Sequence, residues 1–365
     1  MPRRISVKKK DKVLSQDICL KLLDEFIRDS YNGRRTKKDG SRITYGTVRN
    51  YTFLRKALEG FIENAGEWKI FVFERLTMRE RERAGNFNKK FYQQFTQYLY
   101  LKKGYFDNYV GLIIKNMRIF YNYLELERNI PVGVYHKSFY VPSEEIPIIA
   151  LNPEQLRYIL NDKGFNERVQ EKSLEKIRDI FVFGCTVALR VSDLLSLTQK
   201  NLIIENGVHY LRVKSKKTHT YTSVKLPTYA LEILFKYKDR RGERGKVKTL
   251  LPSISAAYLN SSLKKMAALL EDNFVFVKTR ERRGKQIVVY KDPIRKAHYT
   301  LADHISTHTM RRTAITNMLS LGMPEHLVRK ISGHSANSRE FFRYVELAQS
   351  YIDQETDRVF ERLAS

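Results

Sequence analysis

The chain has 365 residues and a formal charge of +27, with 42% hydrophobic residues, 22 Tyr and 20 Phe. Its length suits two ordinary domains and its apolar fraction a true core, which excludes a disordered chain. So large a positive charge repels itself in a compact fold unless a polyanion neutralises it, and nucleic acid is the expected partner.

Two cysteines, Cys19 and Cys185, are too few for a disulfide framework or a zinc ribbon. The basic start at Arg3 and Arg4 has no apolar stretch behind it, so no signal peptide is expected. The apolar run at residues 180–189 is far shorter than the ~20 residues that span a bilayer. A reduced, cytoplasmic, nucleoid-associated protein without a membrane partner is expected.

In chain order, residues 1–14 read as a basic arm. A helix follows from Ser15, with Ile18, Leu20, Leu22, Leu23 and Phe26 as its apolar positions. The polar stretch 34–40 is a loop, and its Arg34, Arg35, Lys37 and Lys38 are candidate DNA contacts. Residues 44–64 predict a second helix with Tyr51, Leu54, Leu58, Phe61 and Ile62 facing inward. Residues 87–102 and 108–128 predict two more. In the last of these Val110, Ile113, Met117, Phe120, Tyr121 and Leu124 form a core stripe, and Lys115 and Arg118 fall outside it as further candidate DNA contacts. Prolines at 131, 142, 147 and 153 mark an extended break, with a domain junction near Glu145. Asn152-Pro153-Glu154 opens the next helix. Beyond it helices mix with short strands. One hairpin is expected from 207–213 and 220–226, and another from 273–279 and 285–290 across residues 280–284.

The chemistry-bearing residues lie in the second half. Arg190 sits in an apolar run, a costly place for a charge unless it is paired, and Asp193 three residues on is placed to orient it. A guanidinium fork also fits a phosphate. Lys217 falls in the first hairpin's turn as a candidate general acid for a leaving oxygen, with Lys214 and Lys216 as rivals. His308 and Arg311 share a helical face. His304 and His308 are four apart, but Ile305 stands where a zinc protease motif has Glu, so no metal is expected. Ser332-Gly333-His334 reads as a helix end presenting an imidazole. Tyr344 follows ten residues later, with Tyr351 as its rival. No P-loop or dinucleotide fingerprint is present.

Taken in order, Ala188-Leu189-Arg190-Val191-Ser192-Asp193, Lys217-Thr218, His308-Thr309-Met310-Arg311-Arg312-Thr313, Gly333-His334 and Tyr344 resemble the tyrosine recombinase (phage integrase) family, and most closely the integrases of conjugative elements and prophages. The resemblance implies an all-α SAM-like core-binding domain at 15–135, a linker at 136–150, a mixed α+β, mainly α, catalytic domain at 151–345 and a C-terminal helix at 346–365 for protomer contact. It further implies that Arg190 and Arg311 clamp the scissile phosphate, that His308 and His334 hydrogen-bond it and that Lys217 is the general acid. Tyr344 is then the nucleophile, with Asp193 in support. The substrate is double-stranded DNA with specific recombination sites, cut without cofactor, metal or ATP. The enzyme is expected to be a monomer when free and a homotetramer on synapsed DNA, with an accessory DNA-bending protein as a further partner. Two departures from the family pattern are the ten-residue interval from His334 to Tyr344, one longer than usual, and Arg312 where a histidine is common. No separate folded arm-binding domain is expected before the helical domain. The alternatives are a catalytically silent architectural or regulatory DNA-binding protein, a type IB topoisomerase and a metal-dependent DDE transposase.

Overall fold

A computed structural model describes residues 7, 11–216, 220–238, 249–271, 273–348, 353, 356–357 and 359–361. The chain divides into two compact units, Met1–Ile146 with Thr279–Val288, and Pro147–Lys278 with Val289–Ser365.

Helices α1 (Gln16–Tyr31), α2 (Tyr45–Glu63), α3 (Met78–Gln97) and α4 (Asp107–Leu126) build the first unit, beside a short antiparallel pair, β1 (Val13–Leu14) and β2 (Ile70–Phe71). The apolar stripe of α4 is buried as its spacing predicts, against Phe26, Leu54 and Trp68. Helix α3 begins well before the expected residue 87, because Thr77 and Glu80 form a reciprocal capping box. That Thr-x-x-Glu signal was present in the sequence. Residues 136–146 do not run free as a linker. His136 and Phe139 are buried in this unit, and the Glu144 carboxylate is held by Arg280.

Of the candidate DNA contacts here, Lys37, Lys38 and Lys115 are exposed and Arg118 is half-buried. Arg34 pairs with Asp29 at 3.2 Å. Arg35 corrects the expectation. It forks Glu127 through Nε and Nη2, donates to Ser30 Oγ at 2.8 Å and lies over the rings of Phe26 and Tyr123. A guanidinium so satisfied is a structural brace.

The second expected hairpin is also corrected. Strand β7 (Thr279–Arg282) pairs with β8 (Lys285–Val288), so the turn is Arg283-Gly284 alone. Both turn residues have positive φ, 55° and 71°, as a two-residue turn between twisted strands requires. The earlier residues pair elsewhere, β6 (Val275–Phe276) with β9 (Tyr299–Thr300). The β7–β8 hairpin belongs to the first unit. Its Arg283 and Gly284 N–H groups donate to the buried Asp107 carboxylate at 2.8 and 2.9 Å, and Arg280 forks the buried Glu144.

The second unit is mainly helical. It comprises α5 (Pro153–Asn161), α6 (Lys163–Glu171), α7 (Glu175–Val187), α8 (Val191–Leu194), α9 (Thr228–Lys236), α10 (Ala256–Ala267), α11 (Leu301–His304), α12 (Thr307–Ser320), α13 (Glu325–Ser332) and α14 (Arg339–Leu347). Its first hairpin gains a strand the sequence reading missed, giving the order β3 (Leu202–Glu205), β4 (Val208–Lys214), β5 (Tyr221–Lys225). Helix α12 packs on α7, where Gly184 admits Met310. A Cβ on Gly184 would lie 2.5 Å from the Met310 sulfur, so the glycine sets how closely the next residue, Arg311, is held to α7. Among the described residues no helix is long and apolar enough to cross a membrane.

Candidate active site

The site gathers at the C-terminal end of α7. That helix stops because Ala188 turns left-handed, with φ 55° and ψ 20°, and Arg190 becomes the N-cap of α8. The expected Arg190–Asp193 pair along one helix is therefore not what forms. Arg190 Nη1 donates to Ser215 Oγ at 3.1 Å, while the buried Asp193 accepts the backbone N–H of Lys216 at 3.2 Å. Asp193 thus fastens the β4–β5 turn to α8. Lys216 Nζ donates to the Ser192 carbonyl, and Lys214 lies over the Tyr221 ring. Lys217, the first choice of general acid, lies outside the described residues, as does the rival nucleophile Tyr351.

Helix α12 carries His308, Arg311 and Arg312. His304 closes α11, so the two histidines four apart sit on different helices. Arg311 is 3% exposed. Its Nη1 donates to the Ala188 carbonyl at 2.8 Å, which gives the helix-breaking residue its partner. Its Nη2 lies 3.1 Å from His334 Nε2. Burial, then the charge of Arg190, brings the Arg311 guanidinium down to about 10. Two arginines this close repel each other, and an anion between them relieves the strain.

Gly333 ends α13 in the left-handed region at φ 67°, and the chain passes 3.1–3.2 Å from Thr220 and Thr222, measured from where a Cβ would stand. Glycine is required there on both counts. His334 follows. Ser332 Oγ donates to the Val328 carbonyl at 2.7 Å, so toward His334 Nδ1, at 2.8 Å, it acts as acceptor. The imidazole accordingly carries its proton on Nδ1 and accepts from Arg311 through Nε2. Burial, with the charges of Arg311, Arg190 and Arg329, pulls its pKa down to about 3. His308 reaches solvent, yet desolvation by the atoms packed round its ring lowers its pKa too, and Arg312 adds to the effect. Both imidazoles are neutral at neutral pH.

Tyr344 is 1% exposed. Phe341, Tyr344 and Ala348 fall on one face of the α14 segment and bury against Ala188, Ala314, Ile315, Leu319 and Val328. The tyrosine ring stands 5.9 Å from that of His334, so the ten-residue interval does not keep them apart. Burial and the carboxylate of Glu340 raise the phenol's pKa, while the nearby guanidinium groups of Arg311 and Arg312 oppose it. Sequence reading missed Ser215, Ser332 and the Ala188 carbonyl, which aim the named residues. Only the Ser-Gly-His triplet hinted at one of them. Among the described residues no cluster of His, Cys, Asp or Glu would hold a metal.

The neutral histidines carry a pH signature. Free histidine near 6.5 binds a proton that His334 refuses down to about 3, and that the buried His136 of the first unit refuses down to about 4. Between these values the unfolded chain binds more protons, so stability rises with pH and is lost as pH falls below 6.5. Each group adds a slope approaching about 1.4 kcal/mol per pH unit. The melting temperature should fall from pH 7 to pH 4.5, and less steeply in His334→Gln. An unchanged slope in that variant would mean that His334 is not held neutral.

The Phage integrase family model matches residues 167–350. No curated protein matches the sequence. Among solved structures, the XerH site-specific recombinase bound to a palindromic difH substrate aligns at TM-score 0.55 and 15% identity, over 94% of this chain and 86% of that one. The Tn1549 transposon integrase with a circular intermediate DNA aligns at 0.56 and 16%, over 93% and 98%. A lambda integrase dimer bound to a COC′ core site gives 0.53 and 14%, over 92% and 78%.

Proposed function

The chain belongs to the phage integrase family, and we propose that it is a site-specific DNA recombinase that cuts and rejoins strands through a 3′-phosphotyrosyl intermediate. One observation carries this reading. Arg311 Nη2 lies 3.1 Å from His334 Nε2, the His334 ring stands 5.9 Å from that of the buried Tyr344, and the charges of Arg190 and Arg311, with His308, bear on the same imidazole. A protein that only bound DNA would gain nothing from a buried phenol among them.

In this reading the scissile phosphate enters between Arg190 and Arg311, and its oxygens accept from the Nη2 group that now faces His334. The Tyr344 oxygen attacks phosphorus, its proton passing to a neutral imidazole or to water. The new P–O bond forms as the bond to the 5′ oxygen breaks, and that oxygen takes a proton from Lys217. The phosphorane gains negative charge that two arginines stabilise more than they stabilise the bound ground state. The tyrosyl ester conserves the bond energy, so a 5′ hydroxyl can reverse the step without ATP. The DNA-bound state of the similar solved structures supports double-stranded DNA as substrate. Recombination itself requires two duplexes and a tetramer. The exposed Val359 and Phe360 in the C-terminal segment suit a contact with a neighbouring protomer.

The test is a nicked suicide duplex incubated with the protein in EDTA and resolved on a denaturing gel. A covalent protein–DNA species should appear. Duplex binding without any such species would make the chain an architectural DNA-binding protein, and cleavage restored only by added magnesium would point to metal-dependent chemistry.

A further inference from the structure

We propose that Arg329 is a positioning residue for the nucleophile, pinning the segment that joins His334 to Tyr344 so that the phenol and the imidazole share one site. This rests on the recombinase reading above and extends it to a residue that would touch no DNA.

The geometry is specific. Arg329 lies in the last turn of α13 with its side chain 12% exposed. Its carbonyl accepts the His334 N–H at 3.1 Å. Its Nε donates to Glu325 Oε1 at 2.8 Å, and Nη2 reaches the same oxygen. Nη1 donates to the carbonyls of Ser335 and Ala336 at 3.1 and 3.0 Å. The guanidinium carbon then sits 4.0 Å over the Phe341 ring and 4.8 Å over that of Phe342. One side chain therefore grips the loop after His334 and the first turn of α14, while Glu325 fixes its own direction.

Little else does this. Residues 335–337 are exposed, and the other hydrogen bonds of this loop among the described residues are local, Ser338 to Ser335 and Phe341 to Ser338. Without the fork the loop's carbonyls face water, and the start of α14 is held by the burial of Phe341 and Tyr344 without a polar clamp to fix its position. Reacting atoms must sit about 3–3.5 Å apart, and displacement by an ångström costs on the order of 10²-fold in rate. Lysine keeps the charge but is a point donor, and it cannot hold Glu325 and two carbonyls together.

The experiment measures single-turnover adduct formation at saturating protein, with duplex affinity in parallel. It compares wild type, Arg329→Ala, Arg329→Lys and Glu325→Gln, on a normal substrate and on one with a 5′-bridging sulfur at the scissile phosphate. The sulfur leaves without a proton, so it rescues a lost general acid but not a misplaced nucleophile. Arg329→Ala should lose about 10²-fold in rate on both substrates. Its DNA affinity should stay within about threefold, with Arg329→Lys and Glu325→Gln falling between it and wild type. A wild-type rate in Arg329→Ala, or a defect erased by the sulfur, would overturn the role. If Arg329→Ala shows no cooperative melt, the other two variants decide, and wild-type rates in both would overturn the role. A wild type that forms no adduct sinks the recombinase reading and this role together. A wild type that forms adduct while the variants keep pace sinks only the role of Arg329.

Discussion

Tyr344→Phe should form no covalent adduct with a suicide duplex while binding the same DNA as wild type does. The substitution removes one oxygen from a ring packed against Phe341 and its neighbours, so the apolar contacts of Phe341, Ala314 and Ile315 remain. Stability should change little or rise, since a buried phenol loses a polar group whose charged form burial already disfavours. Activity and folding thus separate in one variant. Tyr351→Phe is the control. Persistence of the adduct in Tyr344→Phe, with its loss in Tyr351→Phe, would move the nucleophile seven residues on.

Arg190→Ala and Arg311→Ala should each reduce cleavage by at least ~10²–10³, the cost of removing one preorganised donor from a transition state. The two should differ in stability. Among the described residues Arg190 makes one hydrogen bond, to Ser215, and its loss should leave the melting temperature nearly unchanged. Arg311 satisfies the buried Ala188 carbonyl and His334 Nε2, so its removal orphans both acceptors and should cost roughly 1–3 kcal/mol for each left unpaired. Binding of the duplex should hold within a few-fold in both, because the scissile phosphate is one contact among many. Near wild-type cleavage in either variant would make that arginine structural.

The sequence carried the helices well and the local geometry around the candidate site poorly. The stripe from Val110 to Leu124 announced its helix, because six apolar residues at helical spacing have one economical arrangement. His308 and Arg311 were legible for the same reason. The Arg190–Asp193 pair was not. It presumed a continuous helix, and Ala188 breaks it in a left-handed conformation that alanine rarely adopts and that no local residue type signals. Its stabilisation comes from Arg311, 123 residues away. Arg35 looked like a surface cation because its partner Glu127 is also remote, 92 residues away in sequence. The β7–β8 hairpin failed on register, since Arg283-Gly284 is a stronger turn signal than the longer loop assumed, and its anchors Asp107 and Glu144 lie in the other half of the chain. Contacts that set these details are long-range, and periodicity reports only local ones.

The most direct measurement is to isolate the covalent complex formed in EDTA, digest it and find by mass spectrometry which side chain carries the nucleotide and through which end. Strand transfer through a phosphotyrosine requires the peptide containing Tyr344 to bear a 3′-phosphate, with a free 5′ hydroxyl on the released strand. A nucleotide on any other residue, or a link through a 5′ phosphate, would contradict it.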